Sequence, residues 1–397
     1  MQRRILHIDV NNAFLSWTAV HMLKNGSKID IRTIPSIIGG DESKRSGIVL
    51  AKSPVAKKFG IVTGEPIYFA KKKCSDIQIF RSDFEVYKSY SRAFYNILIQ
   101  YSDNVERFSI DECYVDMTNS MTNRDIVSIA YEIKDRIYNE LGFTVNVGIA
   151  SNKLLAKMAS DFEKPNKVHT LFDNEIQTKM WPLNVADLYG IGKMTVPKLL
   201  KMNIKTIGDL AITDKNYLIR KFGKYGNMIW NYANGIDNSP VEEKHQLPKS
   251  VGNQETLPND LYTKEDIEKV LAQIAEEVTF RLRKYNLVGT VISVNLRTNK
   301  FEDYSHQKKL LNPTSNTKDV IIAAKEVLHE MELKGPIRQV GLKLDKLQSS
   351  EEHQISLFEN DENNQKNEKL NKLDKTMDAL KEKYGYTKIT RGSNLKK

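Results

Sequence analysis

Residues 105–117 read VERFSIDECYVDM, a run in which two strand-like segments flank the acidic pair Asp111 and Glu112. A second short strand is predicted at residues 4–8, RILHI, and it ends directly at Asp9. Neighbouring residues on a turn can both reach one metal cluster, while an adjacent strand supplies a third carboxylate. The pattern therefore places three candidate metal ligands at the ends of predicted strands.

The chemistry of these ligands favours a particular class of metal ion. Carboxylate oxygens are hard ligands, which suit Mg²⁺ or Mn²⁺ and not zinc. Two such ions about 3.5–4 Å apart can activate an attacking hydroxyl and stabilise a leaving pyrophosphate. An Asp-Glu pair by itself is more typical of a solvated turn, so the interpretation depends on the surrounding sequence.

Four segments of the chain resemble motifs of the Y-family, or translesion, DNA polymerases. Residues 109–116, SIDECYVD, are similar to the family's S-I-D-E-x-Y-x-D motif. IDVNNAF at 8–14, VGIASNKLLAKMAS at 147–160 and EKPN at 163–166 resemble further family motifs, in the family's order and spacing. The resemblance covers about residues 3–350 and implies a template-directed DNA polymerase that uses deoxynucleoside triphosphates.

The resemblance implies a role for each member of the carboxylate set. Asp9 and Asp111 would hold two metal ions, Mg²⁺ or alternatively Mn²⁺, and Glu112 would complete the site at the primer terminus. Val10 would contribute only its backbone carbonyl.

The same resemblance implies a nucleotide site. Phe14 lies where the family places a bulky ring that excludes a ribose 2′-OH, although an ordinary helix core position is the alternative. Lys164 would contact the triphosphate as a point charge. Pro54 and Lys57 stand where many relatives have Tyr and Arg, and Lys57 keeps the positive charge without the bidentate fork.

The order of predicted strands and helices indicates an α+β sheet domain with helices on one face. The family resemblance implies a right-hand polymerase with a palm of mixed sheet and helices, small fingers, a helical thumb and an α+β little finger. The expected ranges are 1–18 and 80–167 (palm), 19–79 (fingers), 168–240 (thumb), 241–248 (linker), 249–347 (little finger) and 348–397 (flexible tail).

Two regions are candidates for DNA binding. Gly190, Gly192 and Lys193 resemble a helix-hairpin-helix, whose glycines let backbone N–H groups approach a phosphate, although a plain interhelical turn is the alternative. In the little finger, Arg297 and Lys300 are expected beside strands, where they could contact backbone phosphates or form a solvated basic face.

The C-terminal tail is Glu-, Asn- and Lys-rich, which is typical of disorder. We expect one short helix within it, from Leu370 to Tyr384. Within it, QISLF at 354–358 resembles the Q-L-x-L-F peptide by which bacterial polymerases bind the sliding clamp. Gln354, Leu357 and Phe358 are the expected clamp contacts, with a terminal strand on the little finger as the alternative.

Bulk properties agree with a multidomain, nucleic-acid-binding protein. The 397-residue chain carries a net charge of +10, which favours a polyanionic partner. Its two cysteines provide no disulfide framework and indicate a reducing cytosol. No apolar run long enough for a membrane span or signal peptide is present, so we expect a cytoplasmic protein without membrane contact. We also expect a monomer.

Two other functions are weighed against the polymerase. A catalytically weak or inactive scaffold that binds DNA and the clamp would not be expected to keep Asp9, Asp111 and Glu112. A metal-dependent nuclease would need additional histidine or carboxylate clusters. Within the family, the Asp9-Val10-Asn11 opening and Lys57 favour the UmuC type, whereas the self-contained little finger and the clamp peptide favour the DNA polymerase IV type.

Overall fold

The structure, a computed structural model, describes residues 3–40, 47–119, 124–242, 247–350, 361–385 and 389. The chain divides into two compact units, with the described parts of 1–244 outside 41–46 in unit 1 and those of 245–397 in unit 2. Among the described residues, no helix is long and apolar enough to cross a membrane.

Unit 1 contains a five-stranded and a three-stranded sheet. Its strands are β1 (Ile5–Val10), β2 (Ser36–Gly39), β3 (Val49–Lys52), β4 (Gln78–Arg81), β5 (Val105–Arg107), β6 (Glu112–Asp116), β7 (Val145–Ala150) and β8 (Val168–Leu171). Its α-helices are α1 (Ala13–Lys24), α2 (Pro54–Lys58), α3 (Ile67–Lys73), α4 (Phe84–Leu98), α5 (Ile126–Leu141), α6 (Lys153–Ser160), α7 (Val196–Lys201), α8 (Ile207–Ile212), α9 (Lys215–Phe222) and α10 (Lys224–Ala233).

The five-stranded sheet has the order β5-β6-β1-β7-β8, with β1 antiparallel to both β6 and β7. All six residues of β1 are buried, because both faces of the sheet are covered. Leu6, Ile8 and Val10 face a core that includes α4 and α5, whereas Ile5 packs into a second core with α6. The expectation of helices on one face is therefore wrong, because α6 packs in the second core, with Ile5 and Tyr114, on the opposite face.

The strand β8 changes a predicted domain boundary. The sequence predicts that residues 168–171 belong to the thumb, but they pair in parallel with β7 and form the fifth strand of the sheet that contains β1 and β6. Because β8 is a short edge strand with three half-buried residues, it lacks the continuous apolar run of a central strand. The helical segment of the thumb begins after it.

The smaller sheet, β3-β2-β4, lies in the predicted fingers. Strand β2 pairs antiparallel with β3 and parallel with β4, and a separate small core joins this sheet to α2 and α3. The side chain of Ser53 accepts a hydrogen bond from the Ala56 N–H and so caps the start of α2. This cap fixes the turn that presents Lys57.

Unit 2 is an antiparallel sheet covered by helices on one face. Its elements are β9 (Ser250–Leu261), α11 (Lys264–Lys284), β10 (Leu287–Thr298), β11 (Asp303–Thr314), α12 (Thr317–Glu330), β12 (Ile337–Asp345), β13 (Gln348–Ser349) and α13 (Asp361–Tyr384). The main sheet order is β11-β10-β12-β9, and its apolar side chains form one core with α11 and α12.

The prediction of a flexible tail over 348–397 is wrong for Gln348 and Ser349, and the short helix expected from Leu370 to Tyr384 is present but begins earlier. Gln348 and Ser349 form β13, which pairs with β10, and residues 361–384 form the helix α13. Ion pairs link this helix to α11: Arg283 bonds Asp374 and Asp378, and Lys381 bonds Glu276 at 2.9 Å. Composition alone indicated disorder because these partners are distant in the sequence.

Candidate active site

The three predicted carboxylates lie at one end of two neighbouring strands. Asp9 in β1 is the register partner of Glu112 in β6. The Val10 N–H donates to the Asp111 carbonyl at 3.0 Å, which brings Asp111 beside the end of β1. The antiparallel pairing thus brings together residues that are about a hundred positions apart in the chain.

A tight turn presents Asp111 and Glu112. The N–H groups of Phe108 and Ser109 both donate to the Glu112 carbonyl, at 3.0 and 3.2 Å. The Ser109 hydroxyl donates to Asp111 Oδ1 at 2.7 Å, which orients that carboxylate. The turn sequence Ser-Ile-Asp-Glu therefore sets the direction of the acidic side chains as well as the path of the chain.

Asp9 is the most buried of the three carboxylates, with 8% of its surface exposed. Burial raises its pKa to about 6; the nearby Lys164 opposes that shift, and the charges of Glu112 and Asp111 add to it. Buried acids that repel one another favour a divalent cation, and their oxygens are the ligands that Mg²⁺ and Mn²⁺ prefer. The residues present fit a metal site of this class.

Lysines pair with two of the carboxylates. Lys164 forms an ion pair with Asp9 and a second with Asp161 at 2.8 Å, and Lys157 Nζ lies 2.8 Å from Glu112 Oε1. Within the described ranges, no three His, Cys, Asp or Glu side chains form a closed metal-ligand cluster. The carboxylates converge, but in this arrangement lysine ammonium groups provide the counter-charges.

A network of amides holds the segment that carries Lys164. Asn146 in β7 donates to the carbonyls of Ser160 and Glu163, at 3.0 and 2.6 Å. Asn11 donates to Asn146 Oδ1 at 3.1 Å and accepts from the Asn166 N–H at 2.9 Å. Asn11 thus has a structural partner on each side, and the network fixes the distance of Lys164 from Asp9.

Phe14 lies on the first turn of α1 within a group of aromatic rings. Its ring stacks on Tyr87 with centroids 4.8 Å apart, and it makes edge contacts with Trp17 and Phe84 at 6.2 and 5.9 Å. The side chain is half-buried, and its exposed part leaves room for contact with a ligand. This packing is compatible with a core position for Phe14 and with a ring that excludes a ribose 2′-OH. The sugar-selection role stays a prediction.

Lys57 is exposed and lies close enough to Lys52 to act on it electrostatically. Burial and the Lys57 charge lower the pKa of Lys52. The backbone carbonyl of Lys52 accepts a hydrogen bond from Asn12 at 2.7 Å, which links this basic pair to the start of α1. Lys52 stands directly before the capping residue Ser53 and is not among the nucleotide contacts predicted from the sequence.

The predicted DNA-binding residues of the thumb lie at an exposed turn before α7. Gly190 has φ of +90°, a conformation that favours glycine, and its carbonyl accepts from the Tyr225 hydroxyl at 2.9 Å. Gly192 and Lys193 are exposed beside it. The turn is therefore held from within the thumb while its outer surface is accessible.

In unit 2, the two predicted DNA contacts differ in their surroundings. Arg297 forms a bidentate pair with Asp303 on the next strand, with distances of 2.6 and 2.8 Å. Lys300 is exposed at the turn between β10 and β11. An Arg297 contact with phosphate would thus compete with Asp303. The clamp-peptide residues Gln354, Leu357 and Phe358 lie outside the described residues.

Three family profiles match the chain. Residues 8–161 match the impB/mucB/samB family, and residues 248–357 match its C-terminal domain. Residues 186–237 match the thumb domain of DNA polymerase iota.

Relatives and solved structures agree with these profiles. DNA polymerase IV of Clostridium acetobutylicum is 49% identical over 100% of this chain and 99% of that relative. DNA polymerase IV 1 of Bacillus subtilis is 34% identical over 100% of this chain and 94% of its own length. A Y-family DNA polymerase chimera of Dbh and Dpo4 aligns with a TM-score of 0.77 and 25% identity, covering 87% of this chain and 99% of the chimera. The chain therefore belongs to the impB/mucB/samB family, the Y-family DNA polymerases.

Proposed function

We propose that this chain is a template-directed DNA polymerase of the DNA polymerase IV type, which adds deoxynucleotides to a primer 3′ end during translesion synthesis and DNA repair. The observation that carries the proposal is the convergence of Asp9, Asp111 and Glu112 at one end of β1 and β6. Family membership supplies the reaction class, and the retained carboxylates favour an active enzyme over a scaffold.

Asp9, Asp111 and Glu112 would hold two divalent ions, Mg²⁺ or Mn²⁺, with the Val10 carbonyl as a further ligand. Bound ions would lower the pKa of the primer hydroxyl and stabilise the leaving pyrophosphate. The chain's own contribution is orientation: the Ser109 hydrogen bond directs Asp111, and the strand register fixes Asp9 opposite Glu112.

The incoming nucleotide would lie between the basic groups and the ring of Phe14. Lys164, Lys57 and Lys52 would contact the triphosphate as point charges, and Phe14 would occupy the space of a ribose 2′-OH. Burial, and after it the nearby Lys57 charge, lower the pKa of Lys52, and a bound anion beside Lys52 would offset both effects, which supports this placement.

Primer extension tests the proposal directly. With Mg²⁺ and four deoxynucleotides, we expect the natural chain to extend a primer, and Asp111→Ala or Glu112→Ala to reduce the rate by roughly 10³-fold or more, because transition-state charge stabilisation is lost. Asp103→Ala, an exposed acid in the same unit, is the matched control.

Three outcomes would argue against the assignment. Near-normal extension by folded Asp111→Ala would refute this site. Tight DNA binding without extension by the natural chain would favour the scaffold. Shortened primers instead of extended ones would favour a nuclease.

The contact with a bacterial sliding clamp is a separate part of the proposal. Leu357 and Phe358 would fill an apolar pocket on the clamp, and Gln354 would bond at its rim. Tethering would raise the effective concentration of the polymerase at the primer end, and the polymerase itself would act as a cytoplasmic monomer. Calorimetry should find that Leu357→Ala with Phe358→Ala abolishes clamp binding, whereas Ser356→Ala keeps it. Lowered thermal stability with unchanged clamp binding would contradict this contact.

A further inference from the structure

Lys157 on α6 is a half-buried cation beside one of the proposed metal ligands. Its Nζ lies 2.8 Å from Glu112 Oε1, and the two side chains are only 13% and 19% exposed. In such surroundings an ion pair is weakly screened by solvent, so the position of the ammonium strongly influences the direction of the carboxylate.

Two aromatic rings flank the same ammonium group. Lys157 Nζ lies 5.6 Å from the centre of the Phe108 ring and 5.8 Å from that of Tyr189, within the range of cation–π attraction. The two rings are themselves in edge contact, with centroids 6.5 Å apart. Phe108 directly precedes the turn that carries Asp111 and Glu112, so one ring belongs to the catalytic segment.

The other ring belongs to the thumb. Tyr189 directly precedes Gly190 of the exposed turn proposed to contact DNA, and it stacks on Tyr232 of α10 with centroids 6.3 Å apart. The Tyr189 N–H donates to the Met158 sulfur at 3.4 Å, which ties the start of this turn to α6. Lys157 therefore joins the primer-end carboxylate to the phosphate-binding turn through one side chain.

We infer that Lys157 is a positioning residue that sets the direction of the Glu112 carboxylate and couples it to the thumb turn through Tyr189. The inference rests on the proposed polymerase function and deepens it. DNA that engages the Gly190 turn holds Tyr189 in place, which in turn holds the ammonium and Glu112. If Lys157 only balanced the charge of Glu112, replacement of Tyr189 would not change the incorporation rate.

The same helix provides a matched control. One turn earlier, Lys153 pairs with Glu106 at 2.7 Å and lies 4.8 Å from the Tyr114 ring, with 14% and 18% of the paired side chains exposed. This cluster repeats the chemistry of the Lys157 cluster without touching a proposed metal ligand. Lys153→Gln should therefore lower the Tm about as much as Lys157→Gln does, but it should leave the incorporation rate unchanged.

The experiment is a double-mutant cycle on Lys157→Gln and Tyr189→Leu in the full chain. We expect each single variant to lower the single-turnover incorporation rate by about ten-fold or more, and the double variant to be no slower than Lys157→Gln alone. Affinity for primer-template should stay within about two-fold of the natural chain, and Tyr189→Phe, which keeps the ring, should restore the rate. In EDTA without DNA, the loss of Tm in the double variant should be smaller than the sum of the single losses.

The controls separate failure of this inference from failure of the proposed function. Independent rate losses that multiply in the double variant, or a Lys153→Gln rate as low as that of Lys157→Gln, would overturn the coupling. Additive Tm losses in EDTA would overturn it as well. If the natural chain extends no primer, the polymerase assignment fails, whereas the metal-free Tm cycle still tests the contact between Lys157 and Tyr189.

Discussion

We expect the stability of the metal-free Asp9→Asn protein, measured relative to the natural chain, to be greater at neutral pH than at acidic pH. The Asp9 carboxyl is buried, and its pKa in the folded protein is about 6, compared with an ordinary value of 3.8. Above about pH 6 the folded protein therefore carries the full cost of a buried, charged carboxylate. As the pH falls from about 6 towards 4 the group gains a proton and this cost is lost. Asparagine does not titrate, so the variant gains stability relative to the natural chain as the pH rises.

The size of the effect follows from the pKa difference. A shift of about 2 units corresponds to about 3 kcal/mol in the free energy of unfolding once the pH lies well above both pKa values. Between pH 5 and pH 7.5, the linkage relation gives a change of about 1.4 kcal/mol in the stability difference between the two proteins. For a unit of this size, that corresponds to about 3–6 °C in Tm.

Urea unfolding in EDTA, followed by tryptophan fluorescence, suits this measurement. Trp17, Trp181 and Trp230 all belong to unit 1, so the signal reports the unit that contains Asp9. Asp103→Asn is the control for an exposed acid in the same unit. A stability difference that is constant from pH 5 to 7.5, or that moves in the opposite direction, would refute the argument. Added Mg²⁺ should raise the Tm of the natural chain more than that of Asp9→Asn, because it binds only the intact site.

Three further predictions concern other parts of the chain. Phe14→Ala should raise ribonucleotide incorporation relative to deoxynucleotide incorporation by roughly 10-fold or more, because a steric exclusion is removed; unchanged selectivity in single-nucleotide kinetics would assign Phe14 to the core alone. Affinity for primer-template should fall steeply with salt, by about one unit of log–log slope for each phosphate contact, with little sequence preference; a flat salt dependence would contradict this. Lys381→Met should remove one of the ion pairs that link α13 to α11, so amide exchange along α13 should accelerate; unchanged exchange would show that this ion pair does not hold the helix.

The strongest periodic patterns in the sequence predicted their elements closely. The sequence of residues 264–284 predicts a helix, and α11 has those bounds because Thr263 caps its start and an apolar stripe faces the sheet. The fold class and the polymerase family are confirmed by the comparisons. The strand ends that bring Asp9 beside Glu112 also follow from the sequence, since each carboxylate directly adjoins a buried strand.

Other features depend on contacts that a local pattern does not contain. Strand β8 is short and half-buried, so only its pairing with β7 distinguishes it from a loop. Helix α13 is rich in Lys, Glu and Asn, and its place in the fold depends on partners in α11 nearly a hundred residues earlier. The pairing of Lys157 with Glu112 depends on where α6 packs along the strands of the sheet. The motif at 147–160 contains Lys157, but only the tertiary packing shows that its partner is Glu112.

The two site lysines differ in what each can do when a metal ion engages the carboxylates. Lys164 is bonded to Asp161 as well as Asp9, and Asp161 is half-exposed, so Lys164 keeps a partner if Asp9 turns to a metal ion. Its ammonium can then move toward a phosphate at small cost, as expected of a long, flexible point charge. Lys157 is held between Glu112 and two rings, so the same movement would cost it both the ion pair and the cation–π contacts. The fold thus gives one lysine freedom to follow the substrate and keeps the other in place to direct a ligand.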